Sequence, residues 1–134
     1  MPRTIWIIDD DFVSQFATRY CLEQYEEKFK IETFESAEEG LAELSNLKIQ
    51  KKAFPSIIFL DLIMENMNGW EFIESFQLLA KGKRLPEIYI LSAFSRSKDR
   101  EIAKKHKVVS GYYDKPLTKV GLNKVFEKNV RTNS

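Results

Sequence analysis

Apolar residues in this chain fall into short continuous runs separated by stretches of helical periodicity. Ile57-Ile58-Phe59-Leu60 is one such run, preceded by Pro55 and stopped by Asp61. Thr4-Ile5-Trp6-Ile7-Ile8 is another and ends on Asp9-Asp10-Asp11, while Ile88-Tyr89-Ile90-Leu91 ends on Ser92. Runs of this length without alternation read as strands buried on both faces. Val108–Tyr113 reads as a further strand leading into Asp114-Lys115-Pro116, and the shorter, charged Lys30–Phe34 as an edge strand.

The intervening segments read as helices. Val13, Phe16, Ala17, Tyr20 and Gln24 recur at helical spacing behind acids suited to a helix N-terminus. Ser36 and Glu39 make a capping box, followed by Ala37, Leu41, Leu44 and Leu47 on one face. Gly69 opens a third helix with Phe72, Ile73, Phe76 and Leu79 inward. Ser97–Lys107 is a fourth, acids early and lysines late, and a fifth carries Leu117, Val120, Val125 and Phe126 before a polar tail.

Five strands alternating with five helices imply right-handed crossovers and a parallel sheet covered on both sides. The doubly wound, flavodoxin-like order 2-1-3-4-5 sets the first and third strands together at the switch point, where ligands bind beyond the strands' carboxyl ends. Asp9, Asp10 and Asp61 are thereby expected in one crevice, with Ser92 and Lys115 on its rim.

Composition narrows the class. A chain of 134 residues, 43% hydrophobic and 31% charged, is expected to form one domain over 1–134 with a core over roughly 3–131. No repeat or linker interrupts it, and the residues after Pro116 suffice for one helix but no output domain. A net charge of +1 recruits neither nucleic acid nor an anionic membrane. The lone Cys21 excludes an internal disulfide. No run approaches the roughly 20 apolar residues of a membrane span, and no signal peptide opens the chain. The expected location is cytoplasmic.

Converging carboxylates repel one another, so a hard cation such as Mg²⁺ (or Mn²⁺) is expected among them. A flavin or nucleotide phosphate is disfavoured, because Asp-Asp-Asp stands where a phosphate cradle needs Gly, Ser or Thr. An Asp carboxylate can act as a nucleophile toward phosphorus. Lys115 and the Ser92 hydroxyl are placed to meet phosphoryl oxygens.

In order and spacing these residues resemble response regulator receiver domains, the CheY-like family. Asp9-Asp10 looks like their acidic pair, and Asp61 with Met64, Met67 and Gly69 like Asp-x-x-Met-Pro-x-Met-x-Gly. Ser92-Ala93 matches the Ser/Thr-Ala after strand four, Lys115-Pro116 the Lys-Pro after strand five, and Tyr112 the switch aromatic. The resemblance spans essentially the whole chain. It implies that Asp61 takes phosphoryl from a histidine kinase or histidine phosphotransfer protein. Mg²⁺ would be held by Asp10, by Asp9 largely through water, by Asp61 and by the Ile63 backbone carbonyl. Ser92 would swing toward the phosphate and Tyr112 into the vacated space, altering a face of helix four, strand five and helix five that a downstream protein reads. Such a protein catalyses only its own phosphorylation and dephosphorylation and is no enzyme in the usual sense.

One position departs from the motif: Glu65 replaces its Pro. Ile63 and Glu65 then tune phosphate lifetime, and with neither a water-positioning amide nor a second base there, a long-lived phosphate is expected. Other readings stand beside these. Ser92 alone serves equally as a helix N-cap, and Tyr112 as a fixed core aromatic. Cys21, His106, Trp6 and Trp70 read as structural, and Lys48, Lys51 and Lys52 as solvating. The alternative function is a receiver-like protein-binding scaffold independent of phosphorylation, against which the intact site residues argue. An aspartate-nucleophile phosphatase ranks last, since its Asp-x-Asp-x-Thr follows the first strand rather than the third.

Overall fold

In the computed structural model every strand pairs in parallel, and the apolar inner strands are buried on both faces as such a sheet requires. It describes residues 2–25, 27–93 and 96–133, with side chains through Glu127. The elements run β1 (Arg3–Ile8), α1 (Phe12–Glu23), β2 (Phe29–Phe34), α2 (Ala37–Ile49), β3 (Ile57–Asp61), α3 (Gly69–Leu79), β4 (Glu87–Ser92), α4 (Ser97–Lys105), β5 (Val109–Asp114) and α5 (Lys119–Asn133). The sheet order is β2-β1-β3-β4-β5, as the alternation predicts, with β2 and β5 at the edges.

Strand side chains alternate between two cores. Trp6, Ile8, Ile58, Leu60, Ile88 and Ile90 pack with Leu44 of α2, Phe72, Ile73 and Phe76 of α3, and Ala103 of α4. Ile5, Ile7, Ile57, Phe59, Tyr89 and Leu91 pack with Leu22 of α1 and Leu122, Val125 and Phe126 of α5. At Gly40 of α2 an added Cβ would lie 2.8 Å from Ile8 Cδ1, so glycine lets that helix sit close on β1.

The sequence misleads most at α1. Phe12, Val13, Phe16 and Tyr20 face solvent at 56–77% exposure, while Gln15, Thr18 and Leu22 face the sheet. Val120 of α5 is likewise exposed, and Leu122 takes the buried place beside Val125 and Phe126. At α2 the Ser36 Oγ accepts from Glu39 N at 3.1 Å, but the Glu39 carboxylate accepts from Glu35 N, one residue before the cap. The full capping box occurs at α3, where Asn68 Oδ1 accepts from Glu71 N and Glu71 Oε1 from Asn68 N. α4 ends at Lys105 rather than Lys107, because His106 takes extended dihedrals (φ −86°, ψ 118°), and β5 begins at Val109. The polar tail lies beyond the described side chains.

Candidate functional site

Because β1 and β3 are hydrogen-bonded parallel neighbours, both deliver their terminal acids to one edge of the sheet. Asp9 N donates to Phe34 O of β2 at 3.1 Å, fixing the turn out of β1. Carboxylate oxygens of Asp9, Asp10 and Asp61 all lie within 4.8 Å of one another. Asp9 and Asp61 are buried; Asp10 is exposed.

The loop after Asp61 closes against α3. Gly69 N donates to Leu62 O at 2.9 Å, and a Cβ on Gly69 would fall 2.7 Å from Asp61 O, so no larger residue fits without moving backbone. Ile63 N donates to Asp61 Oδ1 at 3.2 Å, and Glu65 N to Asp10 Oδ2 at 3.2 Å, which ties the loop across the crevice. The Glu65 and Ile63 side chains are both exposed, Ile63 at 52%.

Lys115 arrives from the far edge. Its N–H donates to Ser92 O at 2.9 Å, joining the exits of β5 and β4, and the Lys115-Pro116 peptide is cis. Its Nζ lies 2.8 Å from Asp9 Oδ2 and 3.3 Å from Asp61 Oδ2. Burial opposes the charge of Lys115, yet its bonds and attraction to Asp9 and Asp61 outweigh burial and raise its pKa. For Asp61, burial is the leading cause of a pKa pushed up to about 6; the Asp9 charge adds to it, while Lys115 and the Ile63 N–H oppose it.

Ser92 is buried beside this group, one step beyond the Asp61–Leu91 pair in the β3–β4 register. Tyr112 pairs with Ile90, so it shares the α3–α4 face of the sheet with Ser92. Among the described residues the buried Tyr112 hydroxyl has no hydrogen-bond partner. The Arg100 guanidinium of α4 stands 4.9 Å over the Tyr112 ring and donates to Asp114 Oδ1 at 2.6 Å.

Two residues that sequence reasoning missed hold the acids in place. Ser14 Oγ donates to Asp9 Oδ2 at 2.5 Å, the oxygen that also meets Lys115. The buried Gln15 amide donates to Asp9 O and, at 3.4 Å, to Phe34 O, bracing the exits of β1 and β2. Gln15, Thr18 and Leu22 follow helical spacing, a signal masked by the louder apolar stripe beside it.

The donor set is all oxygen, and three clustered carboxylates with one lysine suit a hard divalent cation. Fold and site together define a doubly wound α/β protein with an acidic crevice at its switch point and a cation set across it. The chain belongs to the response regulator receiver domain family, whose model matches residues 5–127. Receiver domains are the signalling switches of two-component systems. The chain is 31% identical over 99 residues to an uncharacterised 14.6 kDa protein of Leptolyngbya boryana, covering 74% of this chain and 69% of that one. A two-component response regulator of Cytophaga hutchinsonii is 26% identical with a TM-score of 0.84, over 97% of this chain and 98% of that one. One from Legionella pneumophila is also 26% identical, at a TM-score of 0.77 over 93% and 95% of the two chains. Among the described residues no helix is long and apolar enough to cross a membrane.

Proposed function

We propose that Asp61 is the phosphoryl acceptor of a two-component or phosphorelay switch. The observation that carries this is a buried carboxylate at the switch point, 3.3 Å from a lysine ammonium and within 4.8 Å of two further acids. An Asp61 oxygen attacks the phosphorus of a phosphohistidine; the P–N bond breaks, the imidazole leaves with its electron pair, and a mixed anhydride remains on Asp61. Lys115 supplies positive charge to the transferring oxygens, and Ser92 donates its hydroxyl to one of them. Asp9, Asp10, Asp61 and the Ile63 carbonyl would hold Mg²⁺ or Mn²⁺, which when bound neutralises charge developing on the phosphoryl group. Ser14 and Gln15 orient Asp9 for that task.

The Tyr112 ring is the element that reads the change. Among the described residues its buried hydroxyl has no partner, a state that costs about 1–3 kcal/mol. That cost favours leaving the present packing, and new bonds from Ser92 to phosphate bias the choice. A downstream protein reads the α4–β5–α5 face. The phosphodonor meets the exposed aromatic stripe of α1, which flanks the crevice directly after Asp11. Ile63 and Glu65 leave the crevice without a water-orienting amide, and the phosphate is long-lived.

Incubation with Mg²⁺ and acetyl phosphate, read by intact mass, tests this. Wild type gains one phosphoryl group and Asp61→Asn gains none; no gain in wild type with any small donor rejects the switch in favour of the scaffold. A half-life as short as that of self-dephosphorylating receivers rejects the lifetime reading alone.

A further inference from the structure

At the end of the sheet opposite the carboxylates, the segments entering β1, β3 and β4 border an open cavity of about 660 Å³. Its lining includes Arg3, Phe54, Lys83, Arg84, Leu85 and Glu87. The cations differ in how they are neutralised. Arg3 is matched by Glu27 at 2.7 Å. Lys83 Nζ donates to the neutral Lys52 O at 2.9 Å and stands 5.3 Å over the Phe54 ring, so its charge is positioned but not cancelled. Arg84 is exposed and forms no ion pair among the described residues.

Cations behind a helix often do no more than complement its C-terminal dipole. Here that task is already filled: Lys48 Nζ donates to Leu79 O, the last carbonyl of α3, at 2.7 Å. Lys83 and Arg84 are left facing the cavity, which Phe54, half-exposed Leu85 and Glu87 also line, the Glu87 carboxylate accepting from the Tyr89 hydroxyl at 2.8 Å. The volume lies within the roughly 300–1,000 Å³ of small-molecule sites. A free phosphate would fill little of it, would meet Glu87, and would leave the apolar lining wet.

We propose that this cavity binds a mononucleotide. Lys83 and Arg84 take its phosphates, Arg84 in bidentate fashion. Glu87 accepts from a sugar hydroxyl, and the flat base lies on Leu85, since Lys83 already faces the Phe54 ring. The site is separate from Asp61 and does not depend on phosphorylation there.

The test is calorimetric titration of the full chain with ADP in EDTA, where no divalent cation draws phosphate to the acidic crevice. Inorganic pyrophosphate and adenosine are titrated separately. Saturable binding of one ADP, tighter than either fragment and weakened about tenfold or more by Arg84→Glu with Lys83→Glu, supports the site. Arg84 is exposed and Lys83 half-buried, and unchanged Asp61 labelling by acetyl phosphate shows that the variant is folded. Absence of ADP binding at millimolar concentration overturns the proposal, as does equal affinity in the double variant. Pyrophosphate binding as tightly as ADP overturns the nucleotide assignment.

Discussion

Asp61 carries its charge at a disadvantage until something compensates it. Burial moves its pKa from an ordinary 3.8 up to about 6, so between these values the folded state binds more protons than the unfolded state. Stability contributed by that proton is present below the lower value and is lost as pH rises through the upper one. Asp61→Asn removes the penalty: without divalent cations the variant melts higher at pH 7.5 by the equivalent of about 1–2 kcal/mol, after allowance for screening. The difference vanishes near pH 3.8, and thermal melts across that range check it. Tyr112→Phe deletes a buried hydroxyl that has no partner among the described residues and is expected to stabilise the protein by about 1 kcal/mol in denaturant titration. A loss of comparable size contradicts the unpaired geometry.

At the scale of elements, α1 has one face that holds the fold and one exposed aromatic face on which the proposed docking of the phosphodonor rests. Phe16→Glu changes a solvent-facing ring and is expected to move stability by less than about 0.5 kcal/mol. It slows transfer from a phosphorylated histidine protein while leaving labelling by acetyl phosphate unchanged. Leu22→Ala, on the buried side, lowers stability by about 2–5 kcal/mol. Equal slowing with both donors in Phe16→Glu, measured by intact mass, contradicts the docking role. The same helix marks the limit of legibility. The strands were readable because Ile57–Leu60 or Thr4–Ile8 admit burial on both faces and little else. The acids, Ser92 and Lys115 were readable because each terminates or follows such a run. α1 was misread in its facing, since an apolar stripe is ordinarily the buried one, whereas here Gln15 and Thr18 turn inward and Gln15 satisfies strand-end carbonyls. The box at Asn68 and Glu71 is hidden in the sequence because its cap lies one residue before Gly69, where the helical pattern opens.

Across the whole molecule acids and bases are mixed, and the net charge is only +1. The strand-exit end gathers Asp9, Asp10 and Asp61 around Lys115, and the strand-entry end gathers Arg3, Lys83 and Arg84 with Glu27 and Glu87. Divalent cations that bind the folded acids alone raise the melting midpoint with concentration, reaching about 2.7 kcal/mol of stabilisation at a hundredfold excess over the dissociation constant. Asp10→Asn weakens this response, and melts with and without Mg²⁺ measure it. One contact between the layers bears on how such events are followed. Trp70 of α3 gives its indole N–H to Asp99 of α4 at 3.2 Å and lies 6.1 Å from the His106 ring, while Trp6, the other tryptophan, is shut in the core against Phe34. The two indoles thus sit in unlike surroundings, one buried in the core, one at a seam between helices. Trp6→Phe leaves Trp70 as the single tryptophan, at that seam, and its selectively excited emission is an unlabelled optical gauge of whether α4 shifts when Asp61 is modified.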